Sequence, residues 1–209
     1  MDVYNKLREM IITGVLPVGA PLTEPALARQ FRVSRTPIRE ALRRLQQDGL
    51  IERGSRRMQV RGLSAEETLE IYDVRIMLET LAARAAAERR TEWDLMKLEQ
   101  VHASMIAAIP DDPYRLVRYN RTFHETVWAM SHNGTLVDLL SRLHAHLIRY
   151  RETTLTYRDR WGHVLEEHRN LVEAIRVGDR ATAGQIAEQH MVAARHVRMQ
   201  MYAVSGAAH

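Results

Sequence analysis

The segment VSRTPIREAL, residues 33–42, contains the start of a helix and two arginines on one of its faces. Ser34 is a suitable N-cap, and Pro37 is tolerated in the first turn because the amides there have no helical partner. Arg35 and Arg39, four residues apart, share a face near the helix N-terminus, where free amides and the positive end of the helix dipole favour phosphate. The face predicted to be buried consists of Ile38, Ala41, Leu42 and Leu45.

The flanking sequence predicts that this helix is the third of three. Residues 2–13 have apolar residues at helical spacing, and the glycines and prolines of GVLPVGAPL then indicate a connector. Thr23 is a candidate N-cap for a second helix over 24–31, and Asp48-Gly49 is a suitable end for the third. The pieces LIER and MQVRGL, on either side of GSRR, predict two short strands with a basic tip. This order of elements indicates a winged helix-turn-helix.

The pattern changes at Gly62-Leu63, where we place the boundary between a domain of residues 1–62 and one of residues 63–209. The capping box SAEE, in which Ser64 and Glu67 cap each other, opens a long helix to about Arg90. The predicted fold class is mainly α, with a small β wing in the first domain and an all-α antiparallel bundle in the second. Further helices are predicted over 91–108, 112–131, 134–157, 161–177 and 179–203.

The charges are distributed unevenly between these two parts. Residues 1–62 contain twelve Lys and Arg against six Asp and Glu, a balance of +6, whereas the remainder has a balance of −2. A basic N-terminal part indicates a module that binds a polyanion, although a solvated arginine-rich surface has the same composition. The chain has no cysteine, its first residues lack the apolar core of a signal peptide, and no apolar run is long enough to span a membrane. We therefore expect a soluble, cytoplasmic protein with no membrane partner.

The run from YNKLREM to DGLIER resembles the DNA-binding domain of the GntR family of bacterial transcription regulators, and VSRTPIREALRRL is its most specific part. The resemblance implies that Arg35 and Arg39 read bases, because an arginine can make a bidentate contact to guanine in the major groove. It also implies that Ser34 and Thr36 contact the DNA backbone, with Arg43 facing the backbone or solvent. For an isolated helix, solvated side chains would be the simpler interpretation.

Two departures from the family pattern affect the expected DNA contacts. Family members often have a DNA-contacting arginine after the acidic residue of the second helix, but here Glu24 is followed by Pro25. The wing tip, RGSRRMQV, has Arg56 and Arg57 where a glycine usually reaches the minor groove. We therefore expect the wing to contribute electrostatic contacts through these arginines, with little sequence information.

Residues from LSAEETLEIYDVRIMLETLAARAAAER to AEQHMVAA resemble the effector domain of FadR-type GntR regulators, called FCD. The resemblance implies a divalent metal held by Asn120, His124, His168 and His190. Imidazole suits several transition metals, among which we favour zinc or nickel. Asn120 stands where aspartate is frequent, so the donors have no charge of their own. An anionic effector such as a carboxylate is therefore expected to complete the site.

The remaining histidines and two arginines have less specific patterns. Arg75 and Arg149 interrupt apolar helix faces, so each is a candidate to pair with an effector carboxylate or with a buried glutamate. His144 and His146 cannot face the same way, and one of them is a candidate for the pocket. Glu167 adjoins His168 but is expected to point elsewhere. Surface or terminal positions are expected for His102, His132, His163, His196 and His209.

The combined pattern predicts a homodimeric transcription regulator, favoured as a repressor, on a roughly palindromic double-stranded operator. A small organic acid at the metal site would alter DNA affinity through the linker near Arg61–Leu63. Two alternatives stay open from the sequence. The first is a metal-dependent enzyme fused to a DNA-binding module; however, no catalytic motif accompanies the histidines. The second is a DNA-binding dimer without an effector.

Overall fold

The computed structural model describes residues 2–55, 57–108, 112–147 and 153–205 of the chain. The chain divides into two compact units. The first contains the residues up to Leu63 and a short segment that begins at His144, and the second contains Ser64–Leu143 and the C-terminal part. Nothing in the sequence pattern indicates the segment at His144, and the domain limits 1–62 and 63–209 stay predictions.

Three helices of the first unit follow the predicted pattern: α1 (Val3–Ile12), α2 (Glu24–Phe31) and α3 (Arg35–Gln47). Beyond α3, Gly49 adopts a φ of +68°, a conformation that favours glycine and so ends the helix here. The apolar side chains of the three helices face one another and form the core of the unit. That core includes Leu7, Ile11, Leu27, Phe31, Ile38, Ala41, Leu42 and Leu45.

The wing has one strand more than the sequence predicts. β2 (Ile51–Arg53) and β3 (Met58–Val60) form the predicted antiparallel hairpin, and β1 (Pro21–Leu22) pairs with the other side of β3. In this register Leu22 lies opposite Met58. The sequence suggested only a connector for β1 because the strand is two residues long and begins with proline, a residue confined to edge strands or strand starts.

The second unit is a helical bundle in which two capping boxes begin consecutive helices, since both Ser64 with Glu67 and Thr91 with Asp94 make reciprocal hydrogen bonds. The long first helix packs along the last. The elements from Ser64 onward are α4 (Ala65–Arg89), α5 (Glu92–Ile106), α6 (Pro113–Met130), α7 (Gly134–Leu147), a 3-10 turn (Tyr157–Asp159), α8 (Arg160–Val177) and α9 (Arg180–Ser205). The residues of α7 from His144 onward are counted with the first unit.

The predicted helix over 134–157 is too long. Among the described residues, α7 ends at Leu147, and residues 153–156 are not helical. The threonines in this segment explain part of the difference, because the hydroxyl of Thr153 accepts a hydrogen bond from the amide of Leu155 at 3.2 Å and so competes with helical pairing. Within the described part of the chain, no helix has both the length and the apolar character to cross a bilayer.

Candidate metal centre and DNA-binding surface

Three histidines from three helices meet inside the bundle. His124 on α6, His168 on α8 and His190 on α9 are all buried, and one nitrogen from each lies within 4.8 Å of those from the other two. Their ring centroids are 4.8–5.3 Å apart. This spacing allows all three imidazoles to face one small volume, as several helices provide ligands in other helical metal sites.

Unpaired polar atoms on two of the helices that hold the histidines fit a bound cation. The side-chain oxygen of Asn120, one turn before His124 on α6, is buried and has no hydrogen-bond partner among the described residues. Both ring nitrogens of His168 are also buried and have no hydrogen-bond partner among the described residues. Buried polar atoms rarely stay unpaired, so a missing partner is indicated. Three imidazoles and an amide oxygen are donors that suit a divalent transition metal.

The electrostatics favour the neutral imidazole at His168 and His190, which is the form that binds a metal. Burial holds the pKa of His168 well below its usual value, and the neighbouring His190 and His124 lower it further. Burial also lowers the pKa of His190, although its contact with Glu167 acts in the opposite direction. His168 and His190 therefore offer uncharged nitrogen donors near neutral pH.

Arg75, one of the two candidate effector-binding arginines, forms a buried ion pair with Glu79 one turn later on α4. The same carboxylate accepts a hydrogen bond from the indole N–H of Trp128 at 2.6 Å and lies 3.5 Å from Nδ1 of His124. Burial acts to raise the pKa of Glu79, but His124, Arg75 and Trp128 together lower it below its usual value. Arg75 thus pairs with a buried glutamate, one of the two partners that the sequence allowed.

Glu167 adjoins His168 in the sequence but contacts a different histidine of the cluster. Its Oε2 lies 2.6 Å from Nδ1 of His190 and 3.2 Å from the guanidinium of the buried Arg160. It makes no hydrogen bond to His168, since both ring nitrogens of that residue are without a partner among the described residues. The contact with His190 was not predicted, because the two residues lie on different helices.

The other histidines are placed as expected with one clear exception. His102, predicted to be at the surface, is buried, and its Nε2 lies 3.2 Å from the carbonyl oxygen of Leu165. His144 is buried and His146 half-buried, but neither belongs to the cluster of ligand atoms. Exposed positions are found for His132, His163 and His196, whereas His209 and Arg149 lie outside the described residues.

The predicted DNA-contacting side chains at the start of α3 are exposed: Ser34, Arg35, Thr36, Arg39 and Arg43. Ser34 occupies the N-cap position, but its hydroxyl makes no capping hydrogen bond, contrary to the sequence-based expectation. At the wing, Arg57 is exposed, whereas Arg56 lies outside the described residues.

Glu24 on α2 makes a contact with this surface that the sequence did not predict. Its two oxygens accept hydrogen bonds from Nε and Nη2 of Arg39 at 2.9 and 3.0 Å. The hydrogen bond from Arg39 lowers the pKa of Glu24, so the carboxylate is ionised near neutral pH. Two of the donors of Arg39 are therefore engaged within the protein, and the planar guanidinium has a defined orientation.

The fold combines a winged helix-turn-helix, whose basic helix start is exposed, with a helical bundle that encloses a histidine cluster. This combination is typical of one class of proteins, the bacterial transcription regulators. Residues 1–58 match the family described as bacterial regulatory proteins, gntR family. Residues 70–193 match the FCD domain. The chain therefore belongs to the GntR family, has an FCD domain, and is a transcriptional regulator.

Individual relatives agree with this assignment. The chain is 33% identical to YdhC, an uncharacterized HTH-type transcriptional regulator of Bacillus subtilis (strain 168), over 92% of this chain and 86% of the relative. It is 27% identical to the gluconate operon transcriptional repressor of the same strain, over 90% and 80% of the two chains. The solved structure of Escherichia coli McbR/YncC, 24% identical, has the same fold, with a TM-score of 0.81 over 96% of each chain. The family and these curated relatives are regulators of transcription, not enzymes.

Proposed function

We propose that this regulator is a homodimeric repressor whose affinity for operator DNA is controlled by a small anion at a metal-containing site in the bundle. The observation that supports the proposal most directly is the convergence of His124, His168 and His190, buried and from three helices, together with the unpaired oxygen of Asn120 one turn before His124. A merely structural core would be expected to pair those polar atoms or replace them by apolar ones.

Asn120 and the three histidines would hold the metal, with zinc or nickel favoured. A bound divalent ion would act as a Lewis acid that attracts and orients an anionic group. Because all four donors are neutral, the ion would keep its full double charge inside the bundle, so an anion is favoured as a further ligand. A carboxylate is therefore the proposed effector. One relative is a repressor of a gluconate operon, and gluconate is a carboxylate.

The exposed start of α3 is proposed to enter the major groove of the operator. Arg35 and Arg39 would read bases, and Ser34, Thr36 and Arg43 would contact the backbone. Arg57, with Arg56, would add electrostatic attraction at the wing. A dimer would place two such helices on a roughly palindromic duplex.

Effector control requires that the anion binds the DNA-bound and the DNA-free protein with different affinities. A coupling of about 1–3 kcal/mol, which corresponds to roughly a 5- to 150-fold change in DNA affinity, is typical of such regulators. The proposed sign is release of DNA when the effector binds.

The test compares His168→Ala with His163→Ala, a matched control on the same helix whose side chain is exposed. Metal content is measured by mass spectrometry after dialysis against zinc or nickel. Binding to duplexes from the protein's own upstream region is followed by fluorescence anisotropy, with and without a panel of carboxylates. We expect wild type and His163→Ala to retain metal and a carboxylate response, and His168→Ala to lose both. Stoichiometric metal in His168→Ala would contradict the proposed site, and turnover of a stabilising carboxylate would favour an enzyme.

A further inference from the structure

Two of the three clustered histidines present the same nitrogen to a carboxylate. Nδ1 of His190 lies 2.6 Å from Oε2 of Glu167, a short hydrogen-bond distance. Nδ1 of His124 lies 3.5 Å from Oε2 of Glu79, a longer electrostatic contact. The two carboxylates come from different helices, α8 and α4, so the similarity does not follow from local sequence.

These contacts determine which nitrogen bears the proton. Each carboxylate also forms an ion pair with a guanidinium, which favours its ionised form. An ionised carboxylate can only accept a hydrogen bond, so Nδ1 of His190, at hydrogen-bond distance, bears a proton, and the same form is favoured for His124, whose Nδ1 faces Glu79 at the longer distance. In a neutral imidazole, Nε2 then has the free lone pair that a metal needs.

Each carboxylate is itself fixed by a buried arginine. Arg160 donates to Oε2 of Glu167 at 3.2 Å, and Arg75 pairs with Glu79. Trp128 adds a further hydrogen bond to Glu79. Because the arginines balance the charge of the carboxylates, both glutamates can stay ionised in the bundle interior without leaving a net buried charge.

His168 lacks such a partner among the described residues, since neither of its ring nitrogens is hydrogen-bonded. Its ring instead stacks on Phe123, with centroids 3.8 Å apart and planes 6° from parallel. Stacking fixes the plane of a ring but not its tautomer. The three histidines are therefore held in two different ways.

We infer that Glu167 and Glu79 are positioning residues that fix His190 and His124 as Nδ1–H tautomers and so prepare their Nε2 atoms to bind the metal. The inference rests on the proposed metal site and extends it to residues that do not touch the ion. Partners of this kind in other proteins typically change metal affinity by about 10- to 100-fold. The shorter contact predicts a larger effect for Glu167 than for Glu79.

The main test uses Glu167→Ala, with Glu166→Ala as the matched control. Glu166 adjoins Glu167 on α8 and is exposed. Among the described residues it forms an ion pair with Arg169, which is also exposed. Zinc affinity of the full chain is measured by competition with a chelating dye. We expect Glu167→Ala to bind one zinc about 10- to 100-fold more weakly than wild type, Glu167→Gln to be intermediate, and Glu166→Ala to match wild type.

A second measurement reports on the tautomer without metal. Long-range 1H–15N spectra of the metal-free protein distinguish protonated Nδ1 from protonated Nε2. We expect His190 as the Nδ1–H form in wild type, a shift towards Nε2–H in Glu167→Ala, and a mixture for His168 in both. This readout also covers Glu79→Gln, which leaves Arg75 without its buried partner and therefore has to be checked for folding first.

The outcomes separate the two proposals. If wild type binds no zinc or nickel, the proposed metal function and this inference both fail. If wild type and Glu167→Ala bind zinc equally well, and the tautomer of His190 is unchanged, the metal site stands and only the positioning role is refuted.

Discussion

Replacing Arg75 by methionine distinguishes a structural role of this arginine from a role in effector binding. The guanidinium of Arg75 is the cationic partner of Glu79, and both side chains are almost completely buried, at 6% and 4% exposure. Methionine retains the length and apolar character of the arginine stem but removes its charge. Glu79 then remains as a buried carboxylate without its nearest cation.

The expected loss of stability follows from the contacts that remain. Removing one partner of a buried ion pair typically costs about 3–5 kcal/mol, because the other charge is left uncompensated. Glu79 keeps the hydrogen bond from Trp128 and the nearby ring of His124, so we expect the lower end, about 3 kcal/mol. For a chain of this length, this corresponds to a decrease in Tm of roughly 6–12 °C.

The pH dependence of this loss has a defined sign. Burial raises the pKa of Glu79, and Arg75 is one of the neighbours that hold it below its usual value, so removing Arg75 lets the pKa rise. The stability that the ion pair contributes is fully present above the unfolded pKa of about 4.3 and is lost as pH falls below it, so the difference in unfolding free energy between wild type and Arg75→Met should be larger at pH 7.5 than at about pH 4. Urea denaturation of the two metal-free proteins at both pH values measures this difference in unfolding free energy.

Arg84→Met on the same helix is a suitable control, because Arg84 is exposed and its replacement should change stability by no more than about 0.5 kcal/mol. A stability loss below about 1 kcal/mol for Arg75→Met, or one that is equal at both pH values, would refute the buried-pair argument. Such a result would favour the effector-binding role instead.

Three further predictions concern other parts of the chain. Arg35→Ala and Arg39→Ala should each weaken binding to the operator by roughly 5- to 150-fold but change binding to random duplex little. Arg57→Ala should weaken binding to both duplexes alike. Equal losses on both duplexes for Arg35→Ala would count against base reading by that residue. Metal-free protein should lose stability as pH falls below about 6.5, because His168 is neutral when folded and takes up a proton on unfolding. An unchanged Tm between pH 7.5 and 5.5 would contradict this expected loss of stability. Gly178→Ala should destabilise the bundle by about 1 kcal/mol or more, since this glycine has a φ of +79°. Chemical denaturation measures this loss, and an unchanged free energy of unfolding would contradict the prediction.

The parts of the fold that the sequence predicted well have strong local signals. The bounds of α2 and the beginning of α3 match the predicted N-cap positions Thr23 and Ser34 and the apolar periodicity, although neither side chain makes a capping hydrogen bond. The start of α4 follows from the capping box at Ser64. The strand β1 was missed, and the helix over 134–157 was predicted to be too long, for the opposite reason. A two-residue strand exists only through its pairing with β3, and no glycine or proline occurs between Gly134 and Thr153 to indicate where the helix stops.

The candidate site shows the same division between local and non-local information. The family resemblance selected the three histidines that the structure brings together, but spacing alone does not bring residues 124, 168 and 190 to one point. Glu79 had a usable signal, because it lies one turn after Arg75 and interrupts the same apolar face. The contacts of Glu167 with His190 and of Glu24 with Arg39 join separate helices, and nothing in the sequence predicts them.

The position of β3 in the middle of the small sheet has a practical consequence for exchanging the wing tip between relatives. β3 is paired on both edges, by β1 and by β2, whereas the described turn residues Gly54, Ser55 and Arg57 belong to no strand. Grafting a longer or differently charged turn at this point should therefore leave the scaffold intact. Chimeric regulators could be built here without redesigning the hydrophobic interior.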